Sequence, residues 1–222
     1  MTRIIELSVF LYCLFIINVK KLSCDAVKLP EFSDFEEINL DLIFSVDSSL
    51  KNDVEDGGED IISGSTTIKA VALVRGTTIN GVVYFEQIEN GPTRIYGTIR
   101  GLSPGGQHGM HVHQYKVNPG DCSSAGEHFN PSDSNHGSPQ SDDSHVGDLG
   151  NIFANKKGVA EFNILSDKLS LNNKWSVINR SIVVHFNTDD LGTGGNTKSL
   201  KDGNSGSKIA CGNIKFVKIE KN

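Results

Sequence analysis

Six of the seven histidines fall between His108 and His145, and Asp148 follows the last of them by three residues. The window opens with HGMHVH, runs through a Gly/Pro/Ser/Asp-rich stretch holding Cys122, His128 and His136, and closes with HVGDLG. The seventh histidine, His185, sits in the apolar run SIVVHF. Imidazoles gathered around a carboxylate are the donor set of a transition-metal site. His111 and His113 stand two residues apart, so on a strand their rings share one face while Met110 and Val112 turn to the other. The same alternation sends Val184 inward and His185 outward. Three histidines then meet outside an apolar interior.

The elements that must position them read as strands. Ile68–Val74 is rich in β-branched residues, and Gly81–Glu86 and Arg94–Arg100 flank the turn signal Asn90-Gly91-Pro92. Ala160, Phe162 and Ile164 alternate with polar residues, and Ser181–His185 and Ile209–Ile219 supply later strands. Helical periodicity is absent from 65–222. Short strands between glycine-rich turns argue for an antiparallel sandwich or barrel. Gln114–Leu149 and Asn187–Lys208 break the rhythm as long polar stretches, each starting just after a histidine-bearing strand. Loops of that length are usually functional.

Charge divides the chain. Residues 25–64 carry twelve acids against Lys28 and Lys51, whereas 65–222 are close to neutral. Residues 1–24 hold the 13-residue apolar run Leu7–Val19, too short to span a bilayer with ease but suited to a signal peptide. An uncleaved short anchor is the alternative. The expected organisation is a signal peptide at 1–24, an acidic and mostly disordered extension at 25–65 with one short helix near Ser33–Val46, and a folded domain at 66–222. The expected location is extracellular, by secretion, without stable membrane insertion. No basic tract suggests nucleic acid, and no CxxC motif suggests a zinc ribbon or a thioredoxin-type site.

The stretches GMHVHQY, GDCSSAGEHFNP, HVGDLGN, VVHFNTDDLGTGGN and GNSGSKIACG closely resemble the copper–zinc superoxide dismutases, in matching order and spacing across about residues 66–220. That resemblance implies a Greek-key antiparallel β-barrel or sandwich, immunoglobulin-like, with two long functional loops. It implies copper held by His111, His113, His128 and His185, and zinc held by His128, His136, His145 and Asp148, with His128 shared. It implies a carboxylate, Asp189, linking one ligand of each metal, and a disulfide between Cys122 and Cys211. The implied reaction turns one superoxide into dioxygen and a second into hydrogen peroxide, with His128 supplying a proton. A positive channel would steer the anion, and Lys201 and Lys208 occupy the positions of the family's guiding lysine and anion-binding arginine.

Several residues depart from the pattern. Lys208 lacks the two-pronged donor of arginine, and Asp202 adds a negative charge beside Lys201. Thr197 and Lys198 stand where acids are common, which favours anions. Lys116 and Phe216 replace smaller residues of the family's subunit contact, so a homodimer, a monomer and a different packing all stay open. Asn179-Arg180-Ser181 is a glycosylation sequon beside the His185 strand, where access looks poor. A copper-binding protein without catalysis is the alternative reading. A copper chaperone is disfavoured by the missing CxxC module.

Overall fold

The computed structural model describes residues 67–217. The expected signal peptide, the expected acidic extension with its short helix, and the part of the last expected strand beyond Val217 therefore lie outside the described residues. In order come β1 (Thr67–Gly76), β2 (Asn80–Ile88), β3 (Thr93–Arg100), β4 (Gln107–His113), a 3-10 turn (Cys122–Ala125), β5 (Asp148–Phe153), β6 (Val159–Ser166), β7 (Ser181–His185), α1 (Ser199–Asp202), β8 (Lys208–Asn213) and β9 (Lys215–Phe216).

Period-two patterning builds the barrel. On β1, Ala70, Ala72 and Val74 are buried while Lys69 and Leu73 face away, and on β2 Val83 and Phe85 point inward beside Ile95 and Ile99 of β3. The strand order is β5-β4-β7-β8-β1-β2-β3-β6, with β9 added beside β1 and neighbours antiparallel. Pairing of β3 with β6 and of β4 with β7 brings a fourth strand back beside a first, as a Greek key requires. β5 and β6 stand at the two ends of that order, and the bridge Ala154–Ala160 draws them together, so the barrel is nearly closed. Phe85, Ile95, Ile99, Met110, Ile152, Leu169, Leu171, Ile182 and Ile214 fill it, each fully buried. At about 1.5–3 kcal/mol per large apolar side chain removed from water, this interior drives folding.

Two expectations are corrected. The first long stretch is a loop only as far as Gly147, because β5 starts at Asp148 and pairs with β4. The second is not structureless: it carries α1 and ends at the start of β8.

Candidate metal centre

β4 and β7 lie side by side with Met110 opposite Val184 and His111 opposite Val183. Met110, Val112, Ile182 and Val184 belong to the barrel core, so His111 and His113 occupy the opposite face of β4, beneath the loops. A register shift at Val184/His185 re-aims the last residue of β7 and sets His185 across from Lys208 of β8. The loop ligands arrive through backbone pairing. Phe129 N donates to the Val112 carbonyl (2.8 Å), Val112 N to Gly147 (2.8 Å), and Gly147 N to Phe129 (2.9 Å). His128 thereby abuts His113, and His145 and Asp148 flank the same strand end. Gly147 has no substitute there, since a Cβ would strike the Val112 carbonyl.

Every ring is buried, and those of His111, His113, His136 and His185 are held from the outer side. His113 Nδ1–H donates to the Gly126 carbonyl (2.9 Å), and His185 Nδ1–H to the Gly206 carbonyl (3.1 Å). His111 Nε2–H donates to Asp189 Oδ2 (2.8 Å). These bonds leave lone pairs on His113 Nε2, His185 Nε2 and His111 Nδ1, because a neutral imidazole carries one proton. His113 Nε2 and His185 Nε2 face each other at 3.1 Å, while His111 Nδ1 and His128 Nε2 are buried without any hydrogen-bond partner. The ligand atoms of these four histidines lie within 4.8 Å of one another. Converging lone pairs of this kind suit a metal cation.

On the other side of His128, three Nδ1 atoms surround one carboxylate oxygen. Asp148 Oδ1 lies 2.9 Å from His128 Nδ1, 3.0 Å from His136 Nδ1 and 3.2 Å from His145 Nδ1, and the His128–His145 nitrogens are 3.4 Å apart. A tetrahedral zinc with bonds of about 2.0–2.1 Å has ligand–ligand edges of about 3.3–3.4 Å. The donor set and spacing fit zinc. His136 Nδ1 is near Asp148 but not aligned to hydrogen-bond it, as expected of a nitrogen whose lone pair points at a metal. His111 also comes within 4.8 Å of His128, His136 and Asp148, yet its Nε2 is committed to Asp189. His145 Nδ1, 3.2 Å from Asp148 Oδ1 and 3.4 Å from His128 Nδ1, offers a fourth donor to the second group.

Asp189 joins the groups: Oδ2 takes His111 and Oδ1 takes His136 Nε2–H (2.7 Å). Its own backbone is locked by Asn151, whose side chain accepts from Asp189 N and donates to its carbonyl, both at 2.8 Å. Gly203 (φ 65°) passes so close to Asp189 and His136 that no Cβ fits. Burial pushes His111, His113 and His128 below the usual imidazole range and His185 down to about 4, which keeps them neutral, as metal ligands must be. Burial is also the largest influence on His136, but the adjacent Asp148 and Asp189 carboxylates outweigh it and hold it up at about 9. Burial would raise Asp148 and Asp189, yet the surrounding imidazoles hold both well below the carboxylate range.

The seven residues expected to hold the metals, His128 counted once, come together here. Cys122 and Cys211 are bonded, with Cα atoms 5.6 Å apart, fastening the first loop to β8. His108 stays outside the ligand set, and its Nδ1–H donates to the His185 carbonyl (2.9 Å). Lys208 is half-buried, and its Nζ donates to Gly126 (2.5 Å), the carbonyl that also receives His113. The expected positive mouth is weaker than the lysines alone suggest. Lys201 pairs with Glu127 (3.4 Å), and Asp202 pairs with Lys198. A cavity beside them is lined by Glu127, His128, His145, Thr197, Leu200 and Lys201. Asn179 is exposed rather than inaccessible, although Ser181 of its sequon is buried, with Oγ on the Tyr115 carbonyl. Gly126, Gly206 and Asn151 carry no signal in the sequence, because two act through carbonyls and the third is an ordinary strand polar residue.

A family profile described as copper/zinc superoxide dismutase (SODC) matches residues 79–214. Superoxide dismutase [Cu-Zn] A of Xenopus laevis is 48% identical over 150 residues, covering 67% of this chain and 98% of that protein. Extracellular superoxide dismutase [Cu-Zn] of Onchocerca volvulus is 49% identical over 161 residues, 70% of this chain and 80% of that protein. A superoxide dismutase [Cu-Zn] of Cryptococcus neoformans var. grubii is 46% identical over 149 residues, 66% and 97% of the two chains.

Proposed function

The chain belongs to the copper/zinc superoxide dismutase family, and from that we propose how its own residues divide the work. The protein is an oxidoreductase that takes superoxide to dioxygen and hydrogen peroxide with copper and zinc as cofactors. Copper, when bound, supplies the one-electron change between its two oxidation states.

His111, His113, His128 and His185 hold copper; His128, His136, His145 and Asp148 hold zinc. The observation carrying this reading is the facing pair of lone pairs on His113 and His185, 3.1 Å apart and buried. Asp148, 2.9 Å from His128 Nδ1, keeps that nitrogen on the zinc side, so Nε2 is the atom that takes up and releases a proton on the copper side. Asp189 positions one ligand of each metal. Lys208 holds the incoming anion as a point charge, since its single ammonium cannot grip two oxygens at once. Lys201 acts at longer range with its charge partly offset by Glu127.

The domain spans 66–222, with a signal peptide at 1–24 and an acidic extension between. Secretion is supported by the leader-like run Leu7–Val19 and by the likeness to an extracellular relative. Among the described residues no helix is long and apolar enough to cross a membrane. Lys116 is exposed and Phe216 half-exposed, and pressing an unpaired charge into an apolar subunit contact costs far more than burying a neutral polar group. These two positions disfavour the family's homodimer contact against a monomer or a different packing, and sedimentation equilibrium reads whether the chain is a monomer or a dimer. Metal analysis with dismutation assays on the mature secreted protein tests the whole assignment. One copper, one zinc and active turnover are expected; full occupancy without turnover would overturn it.

A further inference from the structure

Lys168 lies between β6 and β7, far in sequence from any ligand, and its ammonium is surrounded by oxygen. Nζ is 2.5 Å from the Ser141 carbonyl, 3.3 Å from Asp142, 3.2 Å from Ser144 and 2.6 Å from the Ser144 hydroxyl. An ammonium has three N–H donors, so four acceptors exceed what hydrogen bonding needs. This is the shell of a cation.

We propose that Lys168 is a positioning residue for zinc, clamping the turn at 141–144 from which His145 and Asp148 follow. Both ends of the clamp are defined. On the Lys168 side, the next residue is fixed in the core: Leu169 is buried, its carbonyl accepts from Thr93 Oγ1 (2.7 Å), and Leu171 N donates to Gln87 (2.8 Å). On the turn side, Ser144 is buried and its hydroxyl donates to the Ser141 carbonyl (2.9 Å), so the turn closes on itself around the ammonium. The Asp143 carboxylate accepts from Asn135 N (3.0 Å) and Nδ2 (2.9 Å), which ties the turn to the residue before His136. One ammonium therefore restrains the approach to His136, His145 and Asp148. His113 and His185 are oriented by Gly126 and Gly206 and owe nothing to it.

The proposal rests on the zinc assignment made above, and the test separates the two. Metal-free full-length protein is titrated with zinc, and separately with copper, against a competing chelator. Lys168→Met keeps the apolar stem and removes the charge; zinc Kd should rise about tenfold, the lower end for a group supporting metal ligands, with copper Kd unchanged. In Lys168→Ala, methylammonium should restore zinc affinity, whereas tetramethylammonium at equal ionic strength, having no N–H, should not. A general loosening of the fold would not be rescued in that way. An unchanged zinc Kd in Lys168→Met, an equal loss for both metals, or no methylammonium rescue would each overturn the clamp. His145→Ala is the control: if it binds zinc like the native chain, the zinc assignment itself falls.

Discussion

Replacing both Cys122 and Cys211 with serine removes the covalent link between the first long loop and β8. The bond closes a chain segment of 89 residues, and in the chain-entropy account such a closure contributes about 4–5 kcal/mol by restricting the unfolded state. For a domain of this size that corresponds to a fall in Tm of about 9–18 °C. The loss should also have a direction. The 3-10 turn Cys122–Ala125 leads straight into Gly126, whose carbonyl holds both His113 Nδ1 and Lys208 Nζ. Freeing Cys122 lets that carbonyl move, so copper affinity should drop more than zinc affinity. Urea unfolding of the metal-free protein, followed by the fluorescence of its single tryptophan, Trp175, which packs against the core, reads the stability, and chelator competition reads the metals. A change below about 1 kcal/mol, or a larger loss of zinc than of copper, would refute the reasoning.

Asp189→Asn exchanges a carboxylate accepting from two imidazoles for an amide that can accept at only one oxygen; zinc affinity should fall about 10- to 100-fold, measured by chelator competition. Because Lys201 and Lys198 are paired with Glu127 and Asp202, kcat/KM should depend only weakly on ionic strength. Glu127→Gln should raise kcat/KM about two- to threefold at low salt and steepen that dependence, and an unaltered salt profile would refute the pairing argument. Lys208→Arg should strengthen azide binding at the copper-loaded protein, read from its absorption spectrum, since arginine offers two donors in a plane. In the metal-free protein, burial holds His185 down to about 4 against 6.5 when unfolded. Between those values the unfolded state binds the extra proton, so stability is present above pH 6.5 and is lost as pH falls to about 4, by about 3 kcal/mol from His185 alone. His111, His113 and His128 add in the same direction. His136, held up at about 9, works oppositely, losing stability as pH rises from 6.5 to 9. Denaturant titrations across pH 4–9 should therefore peak near pH 6.5.

The sequence by itself determined which atoms are available and which face of each strand they occupy. Alternation along β4 and β7 separates Met110, Val112 and Val184 from His111, His113 and His185 because a strand repeats every two residues, and no other arrangement buries the apolar set. β1, β2 and β3 are readable from β-branched content and flanking turn residues, and β7 from its apolar run, each to within two residues at either end. β5 is not legible as a strand in the sequence, because its glycine and the polar Asp148 mask the alternation until it pairs with β4. What only the tertiary structure decided is the orientation of each ring and the fate of each charge. Which nitrogen of His113 or His185 keeps its lone pair depends on the carbonyls of Gly126 and Gly206, which any residue type could supply. Lys201 reads as a steering cation and Lys168 gives no signal until the fold sets Glu127 beside one and four oxygens around the other. Side-chain type is local to the chain; the partner of a long flexible side chain is a property of the packed loops, and there the three-dimensional structure alone has the answer.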